Sequence, residues 1–282
     1  MSGINKKYLN AVVAIGVENR EDSKEIIWIG TGFLVGFRRN EKTEVFLLTN
    51  KHVIERQKTV IIRFNKLDGT AANDFPLGLR TKEGNSKYSE HPSGSVDVVA
   101  VKLNSEFLAQ TASDYQFFDI DSESLSLSQM QDENMNEGSL VYALGFPMNL
   151  VGKDRQYPIC RLGCISRISD AFEFSNAADF LVDAQTFPGN SGGPIVVRTE
   201  ETIGNPQTVK LIGILSAYIP YREPLYSMQT GQQRSLMEEN SGLTVVHPVD
   251  RIREVVGIEY HKFQLATASR KRKAPPTPNK EK

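Results

Sequence analysis

One serine in this chain sits where a nucleophile would have to sit. It is Ser191, in the run Phe187-Pro-Gly-Asn-Ser-Gly-Gly-Pro194. β-type apolar runs flank the turn, Phe180-Leu-Val-Asp-Ala before it and Ile195-Val-Val-Arg after it. Gly and Pro are the commonest turn formers, so a plain surface turn accounts for one or two of these residues. Three glycines around one serine suit a different task. A serine that attacks a carbonyl must present its oxygen outward, with backbone N–H groups aimed at the oxyanion that forms. Gly189 can adopt a backbone conformation that turns its N–H inward, which a side chain would hinder. Gly192 and Gly193 would let substrate backbone come close. Such a serine also needs a general base, and the base needs an acid to orient it.

The chain has four histidines, so the search for the base is short. His52 follows Val45-Phe-Leu-Leu-Thr-Asn-Lys, where a buried strand gives way to a polar turn. Upstream lies Gly30-Thr-Gly-Phe-Leu-Val, a strand whose glycines allow close approach. His91, His247 and His261 read more simply as surface or packing residues. For the acid, Asp97 opens Asp-Val-Val-Ala-Val-Lys-Leu. A carboxylate at the mouth of so apolar a strand is costly to bury without a partner, and a histidine N–H is such a partner. A turn-capping role is the plainer alternative. Asp114, Asp119 and Asp121 lie in polar stretches with no strong strand after them.

These motifs together resemble the trypsin/chymotrypsin-like serine proteases. Gly-Asn-Ser-Gly-Gly-Pro is similar to their serine loop, and the pair around Gly30 and His52 resembles the HtrA-like branch most. The order His52, Asp97, Ser191 is the chymotrypsin order. The resemblance spans about residues 10–257. It implies a serine endopeptidase with residues 189–191 forming the oxyanion hole through the N–H groups of Gly189 and Ser191. It implies two packed antiparallel six-stranded β-barrels, an all-β fold with a C-terminal helix. Asn190 stands where zymogen-type relatives carry an Asp that pairs with a new N-terminus, so activation by trimming is not expected. Leu211–Tyr218 resembles the strand that binds substrate backbone, with Ser216, Ala217 and Tyr218 at the site. Gln185 and Thr186 would line the base of a small apolar specificity pocket, narrowed by Tyr218. Few residues follow the helix, too few for a PDZ domain. An inactive scaffold of the same fold, or an esterase using the same residues, is the alternative reading.

Composition is consistent with this. Short β-type runs recur between polar turns, as in a sandwich or barrel. Residues 1–120 read as the half carrying His52 and Asp97, 121–138 as a polar connector, and 139–265 as the half carrying Ser191. Pro248-Val-Asp-Arg-Ile-Arg-Glu-Val-Val has helical spacing. Tyr221–Ser241 reads as a long surface loop, and 266–282 as a disordered basic tail. The net charge of −1 hides an asymmetry: from Arg270 on, the tail carries +5, leaving about −6 for the body. That body does not suit nucleic acid, so the expected partner is a protein or peptide substrate. No apolar run reaches 18 residues, so no membrane span is expected. Cys160 and Cys164, close in sequence on one strand, point to the same face but sit too far apart to bridge without bending, and they are too few for a metal site. They read as reduced packing residues, which points to the cytoplasm. No cofactor is expected.

Overall fold

A computed structural model describes residues 3–22, 25–39, 41–173, 179–198 and 208–273, with side chains as far as residue 268. The first half holds strands β1 (Val12–Glu18), β2 (Ile26–Arg39), β3 (Lys42–Thr49), β4 (Thr59–Phe64), β5 (Asn73–Gly78), β6 (Ser89–Glu90), β7 (Val99–Lys102) and β8 (Phe118–Asp119). They form one sheet in the order β5-β4-β1-β2-β3-β7-β6, with β8 added parallel to β2. The second half holds β9 (Leu140–Gly145), β10 (Ile159–Arg167), β11 (Phe180–Asp183), β12 (Pro194–Arg198), β13 (Val209–Tyr226) and β14 (Gln233–Pro248). These close a barrel in the order β10-β11-β14-β13-β12-β9. The fold is all-β with a C-terminal helix, as expected. In the first half eight strands pair in one sheet, and the chain running on from β5 meets the chain entering β6 through the antiparallel bridge of Arg80 to Ser86, with Lys87 N donating to Leu79 O (2.9 Å).

Period-two alternation explains the layers. In β1, Val13 and Ile15 enter the first half's own core, while Val12 and Ala14 face the other half. In β3, Val45 and Leu47 go inward and Phe46 and Leu48 go across. In β12, Ile195 and Val197 fill the second barrel and Val196 faces the first half. Strands buried on both faces read as continuous apolar runs, which is how they stand in the sequence. The shared layer also takes Val249, Ile252, Val255 and Val256 from the C-terminal helix Val249–Lys273. The helix start was legible, but it runs past residue 265; the basic tail beyond Lys273 lies outside the described residues.

Three readings change. Residues 221–241 are not a loop but the outer part of a β13–β14 ribbon. The ribbon is exposed on both faces and so shows no apolar alternation. The connector holds a short helix, Leu127–Asp132, started by a capping box between Ser126 and Gln129. That Ser-x-x-Gln signature was available in the sequence. Cys160 is exposed and Cys164 only half-buried, because side chains of β10 are mostly left near the surface; both thiols are free.

Phe33 lies fully buried in the shared layer, edge-on to Phe118. Phe33→Ala should cost about 3–5 kcal/mol of unfolding free energy, read from the denaturant midpoint. A loss under about 1 kcal/mol would show that this layer is not a close-packed core.

Candidate active site

The turn between β11 and β12 has no ladder to satisfy its backbone, so each group needs a separate partner. Every carbonyl from Phe187 to Ser191 is used. Phe187 O accepts from Asn190 N (3.0 Å), and Pro188 O accepts from Met148 N (2.7 Å). Gly189 O accepts from Thr31 Oγ1 (2.6 Å). Asn190 O accepts from Gly193 N (2.8 Å), and Ser191 O accepts from Thr31 N (3.0 Å). The N–H of Phe187 donates to Asn190 Oδ1 (3.0 Å), and that of Gly192 donates to Leu215 O (3.1 Å). Within residues 187–193, the N–H groups of Gly189 and Ser191 have no acceptor among the described hydrogen bonds.

Thr31 supplies much of this order. It is fully buried in β2. Its hydroxyl donates to Gly189 O and accepts from Phe146 N (3.0 Å), while its own carbonyl accepts from Thr49 Oγ1 (2.7 Å). One side chain from the first half thus sets the turn of the second. Close approach is required throughout. A Cβ on Gly192 would lie 2.3 Å from Thr31 O, one on Gly193 2.3 Å from Leu144 O, and one on Gly189 2.4 Å from Phe146 O. Gly189 and Gly192 also have φ of +97° and +83°. Gly192 and Gly193 therefore face the protein's own backbone, not the approach of a substrate. Asn190 is buried within the turn, which its Oδ1 closes without a counter-ion.

His52 sits on the single-turn helix Lys51–Ile54 that follows β3. A Cβ on Gly30 would lie 2.7 Å from Val53 Cγ1, so β2 and this helix meet only because residue 30 is glycine. His52 Nδ1 bonds Asp97 Oδ2, and the His52 N–H donates to Asp97 Oδ1 (3.1 Å). With the proton on Nδ1, Nε2 keeps its lone pair for another partner. Burial pushes the Asp97 carboxyl up, but the His52 hydrogen bond and charge, with the backbone of His52 and Lys51, outweigh it. The group ends below its ordinary value. Asp97 is held from behind as well. Its carbonyl accepts from Asn50 Nδ2 (2.7 Å), and its N–H donates to His247 Nε2 (3.1 Å). His247 is buried, and its Nδ1 bonds Asp179 Oδ1 (2.6 Å). The sequence reading had left His247 as a packing residue. It becomes legible only once the last strand of the second barrel is laid beside the Asp97 loop. His91, the other histidine set aside, is buried and bonds Glu254 of the C-terminal helix.

His52 and Ser191 line one pocket of about 330 Å³ with Thr186, Asn190, Ser216, Ala217 and Tyr218. No described hydrogen bond joins Ser191 Oγ to His52; such bonds often tighten only when substrate is present. Gln185 is not in this pocket. It has φ of +44°, which turns it from the wall, and it lines a separate cleft with Arg161, Leu162 and Asp183. Arg222 and Glu238 enter the pocket from the ribbon instead. They were missed because the ribbon was read as a loop.

A model of the trypsin-like peptidase domain matches residues 30–204, more than half of the chain. The chain belongs to the trypsin-like peptidase family. No curated protein matches it. Among solved structures it is similar to the MamO protease domain from Magnetospirillum magneticum, at 15% identity over 87% of this chain and 95% of that one, with a TM-score of 0.45. It is similar to the HtrA-type protease AlgW at 16% identity over 91% of this chain, with a TM-score of 0.46; the match spans 66% of AlgW. It is also similar to the inactive form of Rv3671c from M. tuberculosis H37Rv, at 13% identity over 91% of this chain and 89% of that one, with a TM-score of 0.45. Among the described residues, no helix of this trypsin-like peptidase is long and apolar enough to cross a membrane.

Two outcomes follow for the site. Thr31→Val keeps the volume but leaves Gly189 O and Phe146 N without their buried partner, so unfolding free energy should fall by about 1–3 kcal/mol. Thr31→Ser should restore most of it; equal losses in both would mean that the hydroxyl is not what holds the turn. For Asp97, a folded-state pKa below the unfolded one adds stability above the unfolded value, near pH 4. That stability disappears as pH falls through the folded value. The denaturant midpoint of the wild type should therefore exceed that of Asp97→Asn at neutral pH, with the gap narrowing in acid. A gap that widens in acid would reverse the sign.

Proposed function

We propose that this chain is a serine endopeptidase in which Ser191 attacks the substrate carbonyl. One observation carries the reading: in the turn 187–193, whose every carbonyl from 187 to 191 is used within the protein, the N–H groups of Gly189 and Ser191 are left without an acceptor beside the half-buried, pocket-lining Ser191. Donors fixed in advance at the place where negative charge develops are the largest single contribution in acyl-transfer catalysis. His52 takes the serine proton on Nε2 and returns it to the leaving amine. Asp97 holds the imidazole in that tautomer and stabilises its cation. Substrate backbone lies along β13 near Ser216–Tyr218. β12 pairs only as far as Ile214 there, and Leu215 bonds the turn itself. This leaves an edge that an added strand can use. Thr186, paired to Thr244 by their hydroxyls (2.6 Å), closes the pocket base.

Asn190 supports activity without processing. A turn closed by a neutral amide does not need the buried ammonium that an Asp would need. A fluorophosphonate probe should label Ser191 in the intact chain, with no prior cleavage. Ser191→Ala should lose labelling and lose peptide hydrolysis by several orders of magnitude, with its melting temperature nearly unchanged. Undiminished hydrolysis by purified Ser191→Ala protein would sink the assignment.

A further inference from the structure

The β13–β14 ribbon does more than border the pocket. Pairing sets its faces: residues opposite one another, and those two apart on one strand, share a side. Pro220 faces Asn240, Arg222 faces Glu238 and Pro224 faces Leu236. Pro220, Arg222 and Glu238 line the pocket that holds Ser191 and His52. Asn240 also points to the body, donating to Thr186 O (2.6 Å). Pro224 and Leu236 therefore carry the pocket's face outward, and half of the Leu236 side chain is exposed to solvent. The polar step between is already neutralised. Glu238 accepts from Tyr218 (2.8 Å) and from Arg222 (2.9 Å), and these two bonds hold its carboxylate below the usual value.

The backbone of the ribbon says how a ligand would be read. Proline cannot donate to a ladder, so Pro220 and Pro224 must occupy the positions whose N–H side faces away from β14. Of residues 220, 222 and 224 on that outer edge, only Arg222 offers an N–H. Past Tyr218 the outer edge therefore keeps its carbonyls but, of these three positions, only the Arg222 N–H, so pairing with a substrate strand is weakened there and side chains carry more of the recognition. All ladders of this barrel are antiparallel. A strand that continues the pattern on β13 runs antiparallel to it, which sends the part of the substrate before the scissile bond toward residues 220–224.

We propose that the ribbon is a distal substrate-binding surface for an extended polypeptide with an apolar side chain well upstream of the cleaved bond. This deepens the peptidase reading and rests on it. From Tyr218 to Pro224 is six residues, roughly 20 Å at strand rise, so the apolar residue sits about six positions beyond the one that faces Tyr218. A second copy of this chain pairing ribbon to ribbon is the competing occupant, and the two prolines on the outer edge oppose it.

The test uses full-length Ser191→Ala protein and fluorescent peptides, so that binding is read without turnover. One peptide ends four residues before the scissile bond, and another extends ten residues before it with Leu or Phe at the far positions. The long peptide should bind about tenfold tighter than the short one. Leu236→Glu, on an exposed site, should remove that difference while binding the short peptide equally. Equal affinity for both peptides would overturn the proposal, as would an advantage seen only for extension after the scissile bond. Dimers in sedimentation that Leu236→Glu dissolves would assign the surface to a second copy and overturn it too. Probe labelling of Ser191 in wild-type protein is scored separately. Its absence, with the tenfold binding difference intact, would fault the catalytic reading and not the surface.

Discussion

A buried polar group must find a partner or cost about 1–3 kcal/mol, and the turn around Ser191 is shaped by that demand. It crosses between β11 and β12 at the junction of the two halves, where water does not reach its inner carbonyls. Thr31 meets the demand from the opposite half. Through its N–H and hydroxyl it takes two of the turn's carbonyls, and through its own carbonyl it is tied to Thr49 at the end of the strand that leads to His52. Moving either half would break several of these bonds at once. The halves are thus held in register by the same atoms that orient the candidate nucleophile. Accurate placement follows from polar satisfaction, with no separate device for it.

Sterics then decide which residues the turn can contain. With the carbonyls of Thr31, Leu144 and Phe146 aimed into it, no Cβ fits at 189, 192 or 193. The glycine spacing was legible in the sequence as the mark of this turn, although two of the three serve the protein's own packing. Ser191 and His52 were legible because a small local pattern specifies each: a glycine-rich turn between strands, and a polar stop after an apolar strand. Asp97 was legible from the cost of a carboxylate beside Val98-Val-Ala-Val. Thr31 and His247 were not. Each looks like an ordinary member of a strand until a residue over a hundred positions away is laid beside it.

The ribbon was misread for a related reason. Alternation in a sequence records a difference between two environments, a core and solvent. A ribbon with solvent on both sides has no such difference, so Arg222, Glu223, Glu238 and Glu239 can be interspersed freely with Leu236 and Met237. What keeps it a strand pair is the ladder itself, continued outward from the barrel. Such a ladder gains little stability alone. It persists here because β13 and β14 are already joined by five residue pairs, from Gly213 with Pro248 to Tyr218 with Thr244, where they form the barrel wall.

This division of labour bears on how the cleft can change. The layer between the halves is built from strands buried on both faces, so a volume change there is transmitted to two cores at once. The candidate machinery sits on that layer and inherits its rigidity. The ribbon begins at the pocket rim but packs into neither core, so its side chains can differ without disturbing Thr31, Gly189 or His52. In the proposed reading, recognition far from the cleaved bond is therefore what can change most freely. The backbone geometry at Ser191 is the property that can change least.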